Sequence, residues 1–237
     1  MRAPAPSLPG LAARLAHAVA RRRHAPALHP HGVRATGVLR IRPAGVRWGV
    51  PWLDEPVDHP VRLRWSRALG LPAGLPDGLG IALRVPDAGG PGQPLDLLFT
   101  SSGSGRWTRH LPLPRRDALA GPCSTLLSYR LGGRTAVLAL RPLPGPGLRG
   151  PGTLAGLRGA LRAGPLTFAL CAAGPGGAWH VLGTLTTGAP EEGPPEATDS
   201  YDPYLHRLPG LRPTARLARL REAAYAASRK GRRAPAR

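Results

Sequence analysis

The sequence has no asparagine, one lysine (Lys230), one methionine and two phenylalanines. Aromatic residues make up 5% of its 237 positions, so a core has to be assembled from Leu, Val and Ala. The two cysteines, Cys123 and Cys171, stand in apolar runs and are too few for a disulfide framework. Buried free thiols and a reducing compartment follow as the expectation. No apolar run approaches the roughly 18 residues of a membrane span. Arg14 and His17 interrupt the N-terminal stretch where a signal peptide would carry its apolar segment. These absences point to a cytoplasmic protein without a membrane partner.

Acidic residues are also scarce: 13 stand against 33 basic ones, a formal charge of +20. A field of that sign attracts phosphates and nucleic acid. The surplus is almost entirely arginine, in a chain dominated by Arg, Ala, Gly, Pro and Leu. That skew resembles GC-rich coding and needs no anionic partner. No basic helix is interleaved with exposed aromatics, as base stacking would require. Nucleic-acid binding is therefore disfavoured, while an anionic cofactor would suit the charge.

The 32 glycines and 30 prolines fall between short apolar runs, as turns do in an all-β chain. Residues 8–23 read as an amphipathic helix with Leu8, Leu11, Leu15 and Val19 on one stripe. Eight strand-like runs follow: Val33–Arg42, Val61–Leu69, Leu79–Val85, Leu95–Ser101, Leu126–Leu131, Thr135–Arg141, Leu166–Ala172 and Trp179–Thr187. Gly132-Gly133 between two of them signals a hairpin. Residues 142–164 read as a Pro-, Gly- and Arg-rich excursion with a short helix at Leu154–Arg162. The expected organisation is one domain: a helix at 8–23, a β region at 33–187, a linker at 188–210 and a helix at 211–232, strongest over Thr214–Lys230. Pattern alone does not separate a sandwich from a closed barrel.

Three constellations carry chemistry. Arg221 and Tyr225, four apart, share one face of the last helix. A guanidinium beside a phenol favours the phenolate, a hard anionic ligand for ferric iron. His29, in His29-Pro-His-Gly32 before the first strand, has a side chain that titrates near neutrality and suits acid–base work. Arg64 and Ser66, two apart in a strand, point to one face. A serine there can orient an imidazole, and an inward-facing arginine calls for an anion. Each feature has an ordinary structural explanation when taken singly.

In this order the segments resemble the haem catalase family, and within it the short catalase-related proteins. His29-Pro-His-Gly32-Val-Arg-Ala-Thr-Gly37 is similar to the distal segment, and Arg64-Trp-Ser66 to an Arg-Phe-Ser segment whose serine supports the distal histidine. Asp77-Gly-Leu-Gly80 resembles an Asp-x-x-Gly strand, and Asp96-Leu97 an Asp-Leu pair. Arg221-x-x-x-Tyr225-x-x-Ser228, followed by Arg232, resembles the proximal signature, led in by Tyr201-Asp-Pro through Pro209-Gly. The resemblance implies a mainly β fold with flanking helices, a catalase-like antiparallel barrel holding haem b. It implies Tyr225 as iron ligand with Arg221 beside it, and Arg64 and Arg232 as partners of the propionates. His29, Ser66 and Ser101 would be the catalytic residues, acting on peroxide or an organic hydroperoxide and a small organic substrate. A homo-oligomer is compatible with this reading.

The departures from the family are specific. The distal asparagine has no counterpart, and Thr100, Ser101 and Ser102 occupy that stretch. The arginine preceding the distal histidine falls on Pro26. Ser101 can still donate a hydrogen bond to peroxide, less firmly placed than an amide. Weak dismutation, with peroxidase or peroxygenase chemistry, is the expected activity. The alternatives are a haem or small-molecule barrel without turnover, a metal-dependent hydrolase such as a phosphodiesterase, and a basic nucleic-acid-binding barrel. For the hydrolase, Asp54, Asp58 and His59 form the only close cluster, while Asp77, Asp87 and Asp96 are scattered.

Overall fold

The computed structural model describes residues 32–43, 45–68, 71, 75–143, 152–193 and 201–214. The helix expected over 8–23, and the last helix from residue 215 onward, lie outside them.

Ten strands form the sheet of the described chain: β1 (Gly32–Ile41), β2 (Val57–Arg67), β3 (Leu79–Val85), β4 (Leu95–Ser101), β5 (Cys123–Ser124), β6 (Tyr129–Leu131), β7 (Arg134–Pro142), β8 (Thr167–Ala173), β9 (His180–Pro190) and β10 (Leu211–Pro213). Every strand pairing is antiparallel. The order β7-β5-β4-β3-β2-β1-β9-β8, with β8 returning to β7, closes an eight-strand barrel. β6 and β10 extend the sheet from the outer edge of β7. Closure removes the free edges that an open sheet of this length would expose.

Alternation in the sequence decides which residues face inward. Val33, Ala35, Leu39 and Ile41 of β1, Val61, Leu63 and Trp65 of β2, and Leu95, Leu97 and Phe99 of β4 are buried in one core. Each fully buried aliphatic chain contributes about 1.5–3 kcal/mol, so a lumen lined this way needs few rings. Among the rings it has, Trp65 and Phe168 pack at 5.3 Å between centroids. Two short helices complete the core. α1 (Pro51–Asp54) is started by Pro51 in its first turn and inserts Leu53. The Asp54 carboxylate accepts N–H bonds from Trp48 and Gly49, both at 2.7 Å, and from Val50 at 3.1 Å. α2 (Leu154–Ala163) is capped by Thr153, whose hydroxyl accepts the Gly156 N–H at 3.1 Å, and it buries Leu157 and Leu161.

The expected Gly132-Gly133 hairpin is present, with Leu131 opposite Arg134. Gly132 has φ +56°, and a Cβ there would stand 2.5 Å from the Trp48 carbonyl oxygen, so the position admits only glycine.

Several boundaries differ from the sequence reading. β2 begins at Val57 rather than Val61, running through Pro60. β3 pairs with β2 only from Arg62 to Arg67, so Pro60 has no second ladder to interrupt. The run from Leu126 is a strand only from Tyr129, because Leu126 has φ +56°. Residues 188–190 finish β9, and 201–210 pack onto the barrel with Asp202, Tyr204 and Leu208 buried, so the expected linker over 188–210 is folded in both described parts. Leu211–Pro213 is the strand β10 rather than the start of a helix at 211. Gly210 (φ +76°) turns the chain against β6, where Leu211 is completely buried.

Candidate functional site

The β1–β2 register places Gly32 opposite Ser66, and β2–β3 places Ser66 opposite Gly80. β3–β4 places Gly80 opposite Thr100. Directly paired residues share a face, so these four form one row. Their neighbours Trp65, Ile81 and Phe99 belong to the interior core, so the row lies on the outer wall of the barrel. The adjacent row holds Arg34, Arg64, Ala82 and Leu98.

Arg64 and Ser66 therefore stand on one face, as their spacing predicts. Ser66 is 4% exposed although it points away from the lumen, and its hydroxyl donates to the Gly80 carbonyl at 3.4 Å. The Arg64 guanidinium lies over Gly32: a Cβ at residue 32 would be 3.1 Å from Arg64 Nε and Cζ, and 2.6 Å from the Trp65 carbonyl oxygen.

Ser101 is not part of this row. It lies on the lumen side with Phe99, and its hydroxyl donates to the Leu113 carbonyl at 2.7 Å while accepting the Leu79 N–H at 3.1 Å. Thr100 is the β4 hydroxyl that faces Ser66's side of the sheet. Period-two alternation separates the two residues, but only the β2–β3–β4 register shows which one meets Ser66.

A second polar cluster on the outer wall went unread in the sequence. Asp96 is completely buried and accepts from Arg84 Nε and Nη2, from the Asp202 N–H and from His206 Nδ1, each at 2.7 Å. Arg84 also lies 5.0 Å from the Tyr201 ring centroid. This carboxylate binds the 201–214 segment, which leads toward Arg221 and Tyr225, to the wall that carries Arg64 and Ser66. An aspartate flanked by Leu95 and Leu97 in a strand requires such partners, although their identity depends on contacts more than 100 residues apart in sequence.

The acidic residues weighed for a hydrolase are occupied separately. Asp54 accepts the N–H groups of Trp48, Gly49 and Val50, Asp58 pairs with Arg42 at 2.7 Å and with Arg40 at 3.4 Å, and His59 stacks on Trp52 at 5.2 Å. Burial lowers the His59 pKa below the usual histidine value, against a smaller upward pull from Asp58. Asp77 pairs with Arg67 at 3.4 Å. Among the described residues, no three His, Cys, Asp or Glu side chains converge where a metal ion could be held. No helix among them is long and apolar enough to cross a membrane.

His29, Arg221, Tyr225 and Arg232 lie outside the described residues. Those that are described fit a haem in two respects. The row Gly32–Ser66–Gly80–Thr100 is poor in side chains, and Arg64 supplies a cation beside it.

No protein-family model matches the sequence, and no curated protein matches it. Solved structures do match. Catalase A from Saccharomyces cerevisiae superimposes with a TM-score of 0.61 at 8% identity, covering 86% of this chain and 60% of that one. A bacterial catalase gives a TM-score of 0.64 at 12% identity, covering 86% and 56%. A fungal catalase gives 0.61 at 12% identity, covering 88% and 59%. The chain thus spans 56–60% of the length of these structures. At such identities the likeness is one of architecture, and what the eight-strand barrel establishes is that this chain has a catalase-like fold.

Proposed function

We propose that the protein is a haem-dependent oxidoreductase that uses peroxide or an organic hydroperoxide to oxidise a small organic substrate, with weak dismutation of hydrogen peroxide. The observation that carries this reading is the row of small residues on the outer wall, flanked by Arg64, in a catalase-like barrel.

In this proposal Tyr225, as phenolate, holds the iron of haem b, and Arg221 one helical turn away stabilises that phenolate. Arg64 and Arg232 pair with the propionates. Bound haem would supply the redox chemistry that cleaves the peroxide O–O bond. His29 takes the proton from the incoming peroxide and returns it to the departing oxygen. Gly32 follows it three positions along the chain, so its Cα stays within about 11 Å of that residue. Ser66 orients the imidazole from the opposite strand, and Thr100 replaces Ser101 as the β4 hydroxyl on this face. The free, buried Cys123 and Cys171 support work in a reducing cytoplasm.

Oxidation of an organic donor such as guaiacol, driven by hydrogen peroxide or cumene hydroperoxide, tests the reading. The expected result is donor turnover faster than dismutation, with His29→Ala reducing turnover by two orders of magnitude or more. Dismutation at the rate of a full catalase, or unchanged turnover in His29→Ala, would overturn it. A barrel that binds haem without turnover is favoured by one observation, that the sequence has no asparagine to stand where the distal amide would be. Rapid bleaching of the haem by peroxide without oxidised donor would decide for it.

A further inference from the structure

Outside this wall, the loop after β4 holds a cationic site that the haem reading does not use. Arg109 is 4% exposed, yet among the described residues no carboxylate pairs with it. Its Nε and Nη2 donate to the carbonyls of Gly105 and Gly177, each at 3.3 Å, and its guanidinium lies 5.1 Å from the Trp179 ring centroid. Nη1 is buried and has no hydrogen-bond partner. A second guanidinium, Arg106, stands close enough to lower Arg109's pKa further, after burial itself.

Arg106, Arg109 and His110 line one cleft of about 150 Å³, together with Trp107 and Ser128. His110 Nδ1 donates to the Leu126 carbonyl at 2.7 Å, which leaves Nε2 for another partner. Like charges held side by side, one of them desolvated, repel unless an anion separates them. Guanidinium forks match the oxygens of phosphate and carboxylate. Trp179 is itself fixed, its indole N–H donating to the Ser104 carbonyl at 2.8 Å, so the stacked Arg109 is held in place before any ligand arrives.

We propose that this cleft is a binding site for a small oxyanion of the phosphate class, held by Arg109 and Arg106 with His110 beside them. The site is independent of the haem assignment, since none of its lining residues belongs to the row on β1–β4.

Calorimetric titration of the full-length chain with inorganic phosphate, against sodium chloride of equal ionic strength, tests it. The expected result is saturable binding at one site, weakened at least tenfold in Arg106→Gln. Arg106 is exposed, so this variant should fold even where Arg109→Gln does not. Arg62→Gln serves as the control for net charge: it removes the same charge from the outer face of β2, across the barrel from β7, and should leave binding unchanged. Absence of saturable binding, or equal loss in Arg62→Gln and Arg106→Gln, would overturn the proposal.

Discussion

Arg64 lies directly over Gly32, its Nε and Cζ each 3.1 Å from where a Cβ would stand on the facing strand. The contact ties a cation to a glycine three residues after His29, and it makes Gly32 intolerant of substitution. Gly32→Ala should destabilise the fold by about 1–3 kcal/mol, as overpacking does, because the Trp65 carbonyl oxygen cannot retreat from 2.6 Å without breaking the β1–β2 ladder. Urea denaturation measures this. The same variant should retain less haem per chain.

The two adjacent hydroxyls of β4 separate function from stability. Ser101→Ala leaves the Leu79 N–H and the Leu113 carbonyl without their partner and should cost about 1–3 kcal/mol, with little change in peroxide turnover. Thr100→Val should do the reverse, lowering turnover while stability stays nearly constant. Denaturation midpoints and donor-oxidation rates on both variants check this.

Asp96 anchors residues 201–214. Asp96→Ala removes the carboxylate that Arg84, His206 and the Asp202 N–H share, and should cost about 3–5 kcal/mol. Hydrogen exchange should then rise first in residues 201–214, which Asp96 holds through Asp202 and His206. Exchange rising uniformly over the barrel would argue against this anchoring role.

Two titrations carry definite signs. His59 is held below the usual histidine pKa, mainly by burial. The unfolded chain therefore binds a proton that the folded chain resists, and stability declines as pH falls below about 6.5. Asp58 raises this pKa, so Asp58→Asn should lower it further, which NMR titration of the imidazole reads directly. Burial pushes the Cys123 thiol up to about 12. Above the unfolded-state value the unfolded chain loses a proton that the folded chain keeps, so stability falls by about 1.4 kcal/mol per pH unit from about pH 9 upward. Cys123→Ala should remove that slope.

Much of the barrel was legible because its inward residues recur at every second position. β3 and β4 have the limits that alternation predicts, Leu79–Val85 and Leu95–Ser101. β5 and β10, of two and three residues, are too short to show a period and exist only through their partners. The joint placement of Arg64 and Ser66 was readable from spacing within one strand. The choice between Thr100 and Ser101 was not, because it depends on register across three strands. The Asp96–His206 pair depends on chain folding back over a long interval, and no local pattern announces it.

In the proposed function a phenolate from Tyr225 holds haem iron against this wall. The most direct measurement is the absorption spectrum of the full-length protein with haem, compared with Tyr225→Phe. The expected result is a Soret band corresponding to about one haem per chain, with tyrosinate charge-transfer features that are lost in the variant. A protein that retains no haem, or a variant whose spectrum is unchanged, would contradict it.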